Sequence, residues 1–491
     1  MATKVKESSP PRRFGVGTAF SWVAGIVCFG LLAYLLVAIV HQIVVPPPAH
    51  RLVLIQDIPL PSGLGATSAG QTNDLAPGVE QNFDHFDFQA YDAPTHQLFI
   101  AHSGPNPALL ALAHTKFDPA FDGHIIVYNT QQEQLTGIVD IPQPGGGNIQ
   151  KLEPTSGGIV GRIDIPQVAG IVDAPDLGKV FAADAADSII YDIDVHTLKA
   201  TPIPLVANDG PDAVSYDPTD QRIFVSDPGS PANPDKTMNP DLNNINIAVI
   251  DAVHDKLITR INLGKVPLLP GENVTSALNA PIVPVVNPGN FPLYGHDVGH
   301  NKYDSGLHML FVTSTVNPNA DDTNPFLLPP AGTGEFFEID PVTLTIVKEI
   351  DLPATCSTPH GLAIDSQQHV GFIACTDSSG APQNLFENLV RVDLTNMTVI
   401  PFNPSNARLA PGPDIIVIDD SLHLLFVGCL GGISIFDEQA GEFHKLSDEF
   451  LGKQTHTIAV VDIGTLTEVF LPIVVGGRPV LRITRYNPNG V

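Results

Sequence analysis

Residues Thr358–Asp377 read TPHGLAIDSQQHVGFIACTD. Apolar residues lead up to Asp365, the polar run Ser-Gln-Gln-His follows, and a second apolar run ends at Cys375. Two short runs of this kind around a polar turn predict a β-hairpin. The pattern recurs along the chain. GPDAVSYDPTDQRIFVSD (210–227) and GPDIIVIDDSLHLLFVGC (412–429) are near copies, as are FDFQAYDAPTHQLFIAHS (86–103), AGIVDAPDLGKVFAAD (169–184) and GHNKYDSGLHMLFVTS (299–314). THTIAVVDIGTLTEVFLP (455–472) is a seventh.

A second hairpin follows the first, as in SIIYDIDVHTLKATPIPL (188–205), NINIAVIDAVHDKLITRINLG (244–264) and GEFFEIDPVTLTIVKEIDLP (334–353). Four strands per unit, with the closest units about 42 residues apart, is the pattern of a β-propeller blade. Longer intervals at 103–122, 228–243, 265–295 and 316–333 are rich in Pro, Asn and Gly and are expected to be loops. The seventh unit has a third strand, GRPVLRITRY (477–486), but no fourth; HRLVLIQDIPLP (50–61) supplies one from the other end of the chain. The expected fold is therefore all-β: a seven-bladed propeller of four-stranded blades over 46–491, closed by pairing of its N-terminal strand with the last blade. The irregular stretch 143–166 leaves six- or eight-bladed counts as alternatives.

The chain has 491 residues, of which 43% are hydrophobic and 15% charged, with 46 Pro and 42 Gly, as expected for many short strands and tight turns. Residues 20–45 form an apolar run without Lys, Arg, Asp or Glu. That is long enough to span a bilayer as a helix. The basic tail 1–19 precedes it, so the positive-inside rule places that tail in the cytoplasm and the propeller outside the cell membrane. A cleaved signal peptide is the competing reading, with a shorter apolar core expected. The tail holds four of the 24 basic residues and one of the 52 acids, leaving the remainder with 20 cations against 51 anions. Such a body repels phosphate backbones, which argues against nucleic-acid partners.

These repeats resemble the YVTN/YncE-like family of extracytoplasmic seven-bladed propellers. The resemblance rests on HFDFQAYDAPTHQLFIAHSG, GPDAVSYDPTDQRIFVSD, PHGLAIDSQQHVGFIAC and the end piece FLGKQTHTIAVVDIGTLTEVFLPIVVGGRPVLRI, and covers about 50–491. It implies a binding or scaffolding role outside the cytoplasm, for a protein, a polymer or a small ligand.

In a propeller the first strand of each blade lines the central channel. Aligned on the Asp that ends this strand, the strand starts present Asp87, Ala169, Asp212, Gly299 with His300, His360, Asp414 and His456. Imidazole and carboxylate are ligands for zinc and related divalent ions. Asp87, Asp212, His300, His360, Asp414 and His456 are therefore candidate ligands for a divalent metal ion, as in a metal-dependent lactonase or other hydrolase, or a metal-handling protein. Binding water or capping neighbouring backbone is the alternative role. Single histidines such as His85, His102, His114, His124 and His296 read as surface residues. Cys356 and Cys375 flank one hairpin and are placed for a disulfide; free thiols, or a thiol site with Cys429, are the alternatives. Motifs for covalent haem, zinc proteolysis, serine hydrolysis and phosphate loops are absent from the sequence.

Overall fold

The computed structural model describes residues 50–60, 85–104, 123–131, 134–138, 168–185, 187–206, 209–228, 246–263, 285–286, 295–316, 334–376, 387–401, 407–438, 443–452, 455–475 and 478–490. The apolar run 20–45 lies outside these residues. Seven sheets follow one another in chain order. Blade I holds β2 (His85–Asp92), β3 (Gln97–Gly104), β4 (His124–Asn129) and β5 (Gln134–Ile138). Blade II holds β6 (Val168–Ala174), β7 (Lys179–Asp184), β8 (Ile189–Asp194) and β9 (Ala200–Pro204). Blade III is β10 (Val214–Asp217), β11 (Arg222–Asp227), β12 (Asn246–Asp251) and β13 (Lys256–Asn262). Blade IV is β15 (Gly295–Asp304), β16 (Met309–Val316), β17 (Gly334–Asp340) and β18 (Thr345–Asp351). Blade V is β19 (Thr358–Asp365), β20 (Val370–Thr376), β21 (Asn388–Asp393) and β22 (Thr398–Ile400), and blade VI is β23 (Pro413–Asp419), β24 (Leu424–Cys429), β25 (Gly432–Asp437) and β26 (His444–Glu449). Blade VII takes β27 (Ala459–Ile463), β28 (Leu466–Val475) and β29 (Arg478–Tyr486) from the end of the chain and β1 (Leu52–Pro59) from its start.

The β1–β29 pairing runs from Leu52 against Tyr486 to Pro59 against Val480. Arg482 reinforces it with two 2.7 Å bonds to the Asp57 carboxylate. Each innermost strand neighbours the next, and β27 neighbours β2, so the ring is closed. One blade departs from the four-stranded expectation. Val285–Val286, inside an interval read as loop, forms β14, which runs parallel to β13 and makes that sheet five-stranded.

One device makes the first hairpins. The Asp that ends the innermost strand turns back to accept hydrogen bonds from the following backbone N–H groups: Asp217 from Thr219 at 2.8 Å, Asp304 from Gly306 at 2.9 Å, Asp365 from Gln367 at 2.8 Å and Asp419 from Ser421 at 2.9 Å. This is the Asx turn that Asp favours. The turn closes on a residue of left-handed backbone: His96, Gln221, His308, His369 and His423, with φ between 52° and 56°. In blade II that place belongs to Gly178. The third residue of each second strand is then a buried Phe in six blades: Phe99, Phe181, Phe224, Phe311, Phe372 and Phe426. Burying each removes a large apolar surface from water, stabilising by about 2–3 kcal/mol before chain-ordering costs.

Cys356 lies just before β19 and is disulfide-bonded to Cys375 of β20, with Cα atoms 4.9 Å apart. Cys375 stands in register with Pro359, so the bond ties the lead-in to blade V to its second strand. Cys429 holds the matching place in blade VI as a buried free thiol.

Candidate metal centre at the channel mouth

Most of the strand-start residues sit where the innermost strands are irregular. In blades I, II, IV, V and VI the pairing of first and second strands slips, and the skipped residues are 87–88, 169–170, 299–300, 360–361 and 414–415. An extra residue in one strand bends it and re-aims its side chains. Glycine lets the bulges of adjacent blades close on one another. A Cβ at Gly361 would lie 1.7 Å from the Asp414 carbonyl oxygen, and one at Gly170 would lie 1.9 Å from that of Asp212. Thr313 bridges blades IV and V by its hydroxyl, which lies 2.9 Å from the His360 carbonyl oxygen and 3.2 Å from that of His300.

Asp414 is the hub of the resulting cluster. Its Oδ1 accepts a 2.8 Å hydrogen bond from His360 Nδ1 and lies 3.2 Å from His300 Nε2. Its Oδ2 lies 2.5 Å from His456 Nε2, and that nitrogen stands 3.8 Å from Asp87 Oδ1. The His300 approach is the longer of the two to Oδ1, and its Nε2 is buried against that oxygen. His456 Nδ1 is buried without a hydrogen-bond partner among the described residues. The His300 ring sits 4.7 Å from that of His360 and 4.9 Å from that of Phe88, which gives the cluster an apolar wall. Only His360 is substantially open, its side chain one-third exposed while that of His300 is 2% exposed.

These contacts set the charges. Burial opposes ionisation of Asp414, but His456, His360 and His300 outweigh it and hold its carboxyl well below the ordinary range. Burial likewise disfavours a charged His456, yet Asp414 and Asp87 raise it to about 9. Asp87 is pushed up to about 8, by burial first and by Asp212 second. Burial lowers His300, and it drives His85 down to about 4 with help from His456. The arrangement thus pairs the Asp414 carboxylate with a protonated His456, beside a neutral His300 and a protonated Asp87 carboxyl. All of these are donors that a cation can claim once their protons leave.

Five of the six candidate residues from sequence, Asp87, His300, His360, Asp414 and His456, meet here. Asp212 feels the charges of His360, His300 and Asp414 but belongs to neither group of donors within 4.8 Å. His85, read as a surface residue, instead packs its ring 4.9 Å from that of His456. It stands two residues before Asp87, but the register slips on both sides of Phe86, so strand alternation does not predict this placement. His102 and His124 correct the surface reading outright: both are fully buried, 3.1 Å apart across β3 and β4, and His102 stacks on Phe86. His114 lies outside the described residues.

Fold and cluster together define a seven-bladed β-propeller with a His/Asp centre at its channel mouth. No family model matches the chain, and no curated protein matches it. Among solved structures it is similar to hydrazine synthase of Kuenenia stuttgartiensis, at 11% identity and a TM-score of 0.50, over 84% of this chain and 98% of that one. It is also similar to a chain of the mitotic checkpoint complex, at 8% identity and a TM-score of 0.50, over 99% of both. At these identities the likeness concerns the fold alone.

Proposed function

We propose that this chain is a membrane-anchored, extracytoplasmic binding module of the YVTN/YncE-like kind, whose channel mouth holds a divalent transition-metal ion. The observation that carries the metal reading is the convergence of three imidazoles, from blades IV, V and VII, on the two oxygens of the single carboxylate of Asp414. Imidazole nitrogen with carboxylate oxygen suits zinc, copper, iron and nickel better than calcium or magnesium. The apolar run 20–45 after a basic tail supports an anchor, and the Cys356–Cys375 disulfide suits an oxidising compartment. A bound ion is also what the hydrolase reading would need, since it would polarise an ester or lactone carbonyl.

The test is equilibrium dialysis of the full chain, purified in mild detergent, against Zn(II), beside an H360A/H456A variant. At least one ion per chain, lost or sharply weakened in the variant, is the expected result. Equal, weak uptake by both proteins would sink the metal reading. For the anchor, the N-terminal tail should be protected from added protease in intact cells while the propeller is labelled from outside. The reverse pattern would overturn the topology.

A further inference from the structure

The five donors do not form one ligand set. They fall into two groups, each with its donor atoms within 4.8 Å of one another: His300, His360 and Asp414 in one, Asp87, Asp414 and His456 in the other. Only Asp414 belongs to both. Two donors on opposite sides of one ion stand at most about 4.3 Å apart, twice a metal–ligand bond. A single ion therefore cannot collect all five as they stand. The oxygens of Asp414 divide in the same way. Oδ1 faces His360 at 2.8 Å and His300 at 3.2 Å, whereas Oδ2 faces His456 at 2.5 Å on the side of Asp87.

A carboxylate whose two oxygens address two donor sets has the geometry of a bridge between two ions about 3.5–4 Å apart. We propose that the channel mouth is a dinuclear transition-metal centre in which Asp414 bridges one ion held by His300 and His360 and a second held by His456 and Asp87. This rests on the metal reading above and deepens it. The Nε2 of His300, 2% exposed, is aimed at Asp414 Oδ1 from 3.2 Å, so the first set brings a buried imidazole as well as an acidic residue to the site. The two sets also differ in kind. Two imidazoles and a carboxylate oxygen make the first the softer position; one imidazole and two carboxylate oxygens make the second the harder one. His85, with its ring 4.9 Å from that of His456, adds an imidazole on the second side.

The experiment loads the full detergent-purified chain with Zn(II) to measure stoichiometry and with Cu(II) for electron paramagnetic resonance. Two ions per chain are expected, with a spin-coupled signal at full Cu(II) loading that becomes an uncoupled mononuclear signal at one equivalent or less. H300Q/H360Q and D87N/H456Q should each retain one ion and lose the coupling. Circular dichroism confirms that each variant folds. One ion in the wild type, lost only when both sets are altered, overturns the dinuclear centre but leaves the metal reading intact. Two ions without coupling place the second elsewhere and also overturn it. No ion at all removes both readings.

Discussion

Replacing Asp414 by Asn would keep its shape and remove its charge, leaving three imidazoles facing an amide. Removing one partner from a buried ionic cluster costs more than the cluster itself contributes, because the remaining charge has lost its compensation. The metal-free D414N protein should therefore lose about 3 kcal/mol of stability in urea unfolding at neutral pH. A loss below about 0.5 kcal/mol would show that these contacts hold little of the mouth together. Gly361 tests the same junction from the backbone side. In G361A the new Cβ would have to displace the Asp414 carbonyl, 1.7 Å away, so the two blades must part. The expectation is a loss of about 2 kcal/mol or more together with weakened Zn(II) uptake. Of this site the sequence shows which residue types stand at the strand starts, because the terminal Asp of the first strand provides a fixed reference. It does not show that Gly361 must be glycine for contact with another blade. Nor does it show that His85 turns inward, since both facts depend on how neighbouring bulges close.

At the scale of the element, the hairpins are legible because their Asx turns and alternation are local. The bulges and β14 are not, because they arise from packing between blades and from a two-residue parallel contact. The buried Phe of the second strand is a local signal of the same strength as the turn Asp. Truncating one of them, as in F224A, should cost about 3–5 kcal/mol by calorimetry or urea unfolding. Glu438, just after β25, predicts a pH dependence. It is 3% exposed, with the Asp365 carboxylate close enough to raise its pKa. Burial, with Asp365 second, pushes its pKa from 4.5 up to about 8. The folded state thus holds a proton that the unfolded state has released between these values, and stability falls as pH rises through this window. Glu335, raised to about 8 by burial and Glu349, adds a slope of the same sign. E438Q should flatten the decline between pH 5 and 8 and gain about 1–3 kcal/mol at pH 8. An unchanged slope in chemical denaturation across that range would refute the assignment.

For the molecule as a whole, the count of seven was legible from the missing strand of the last unit and the spare strand after the apolar run. Those two observations are far apart in the chain, and only a closed ring joins them. Removing residues 1–60 should leave the edge of β29 unpaired and release Arg482 from Asp57. An unpaired edge recruits other strands. The shortened protein is expected to melt at a lower temperature and to self-associate in light scattering, while R482M in the full chain should remain monodisperse with a smaller loss. A shortened protein that stays monomeric and equally stable would mean the ring does not depend on this closure.

The same closure sets an order in time. β1 is the first strand of the propeller to be synthesised, and Asp57 meets its partner Arg482 425 residues later. Until β29 emerges, the backbone of that first strand has no mate, and Leu52, buried in the closed ring, is open to whatever lies nearby. Completion of the ring thus waits on the synthesis of β29. A stalled or prematurely ended polypeptide would carry an unclosed circle, recognisable to quality-control proteases by the loose strand at its beginning.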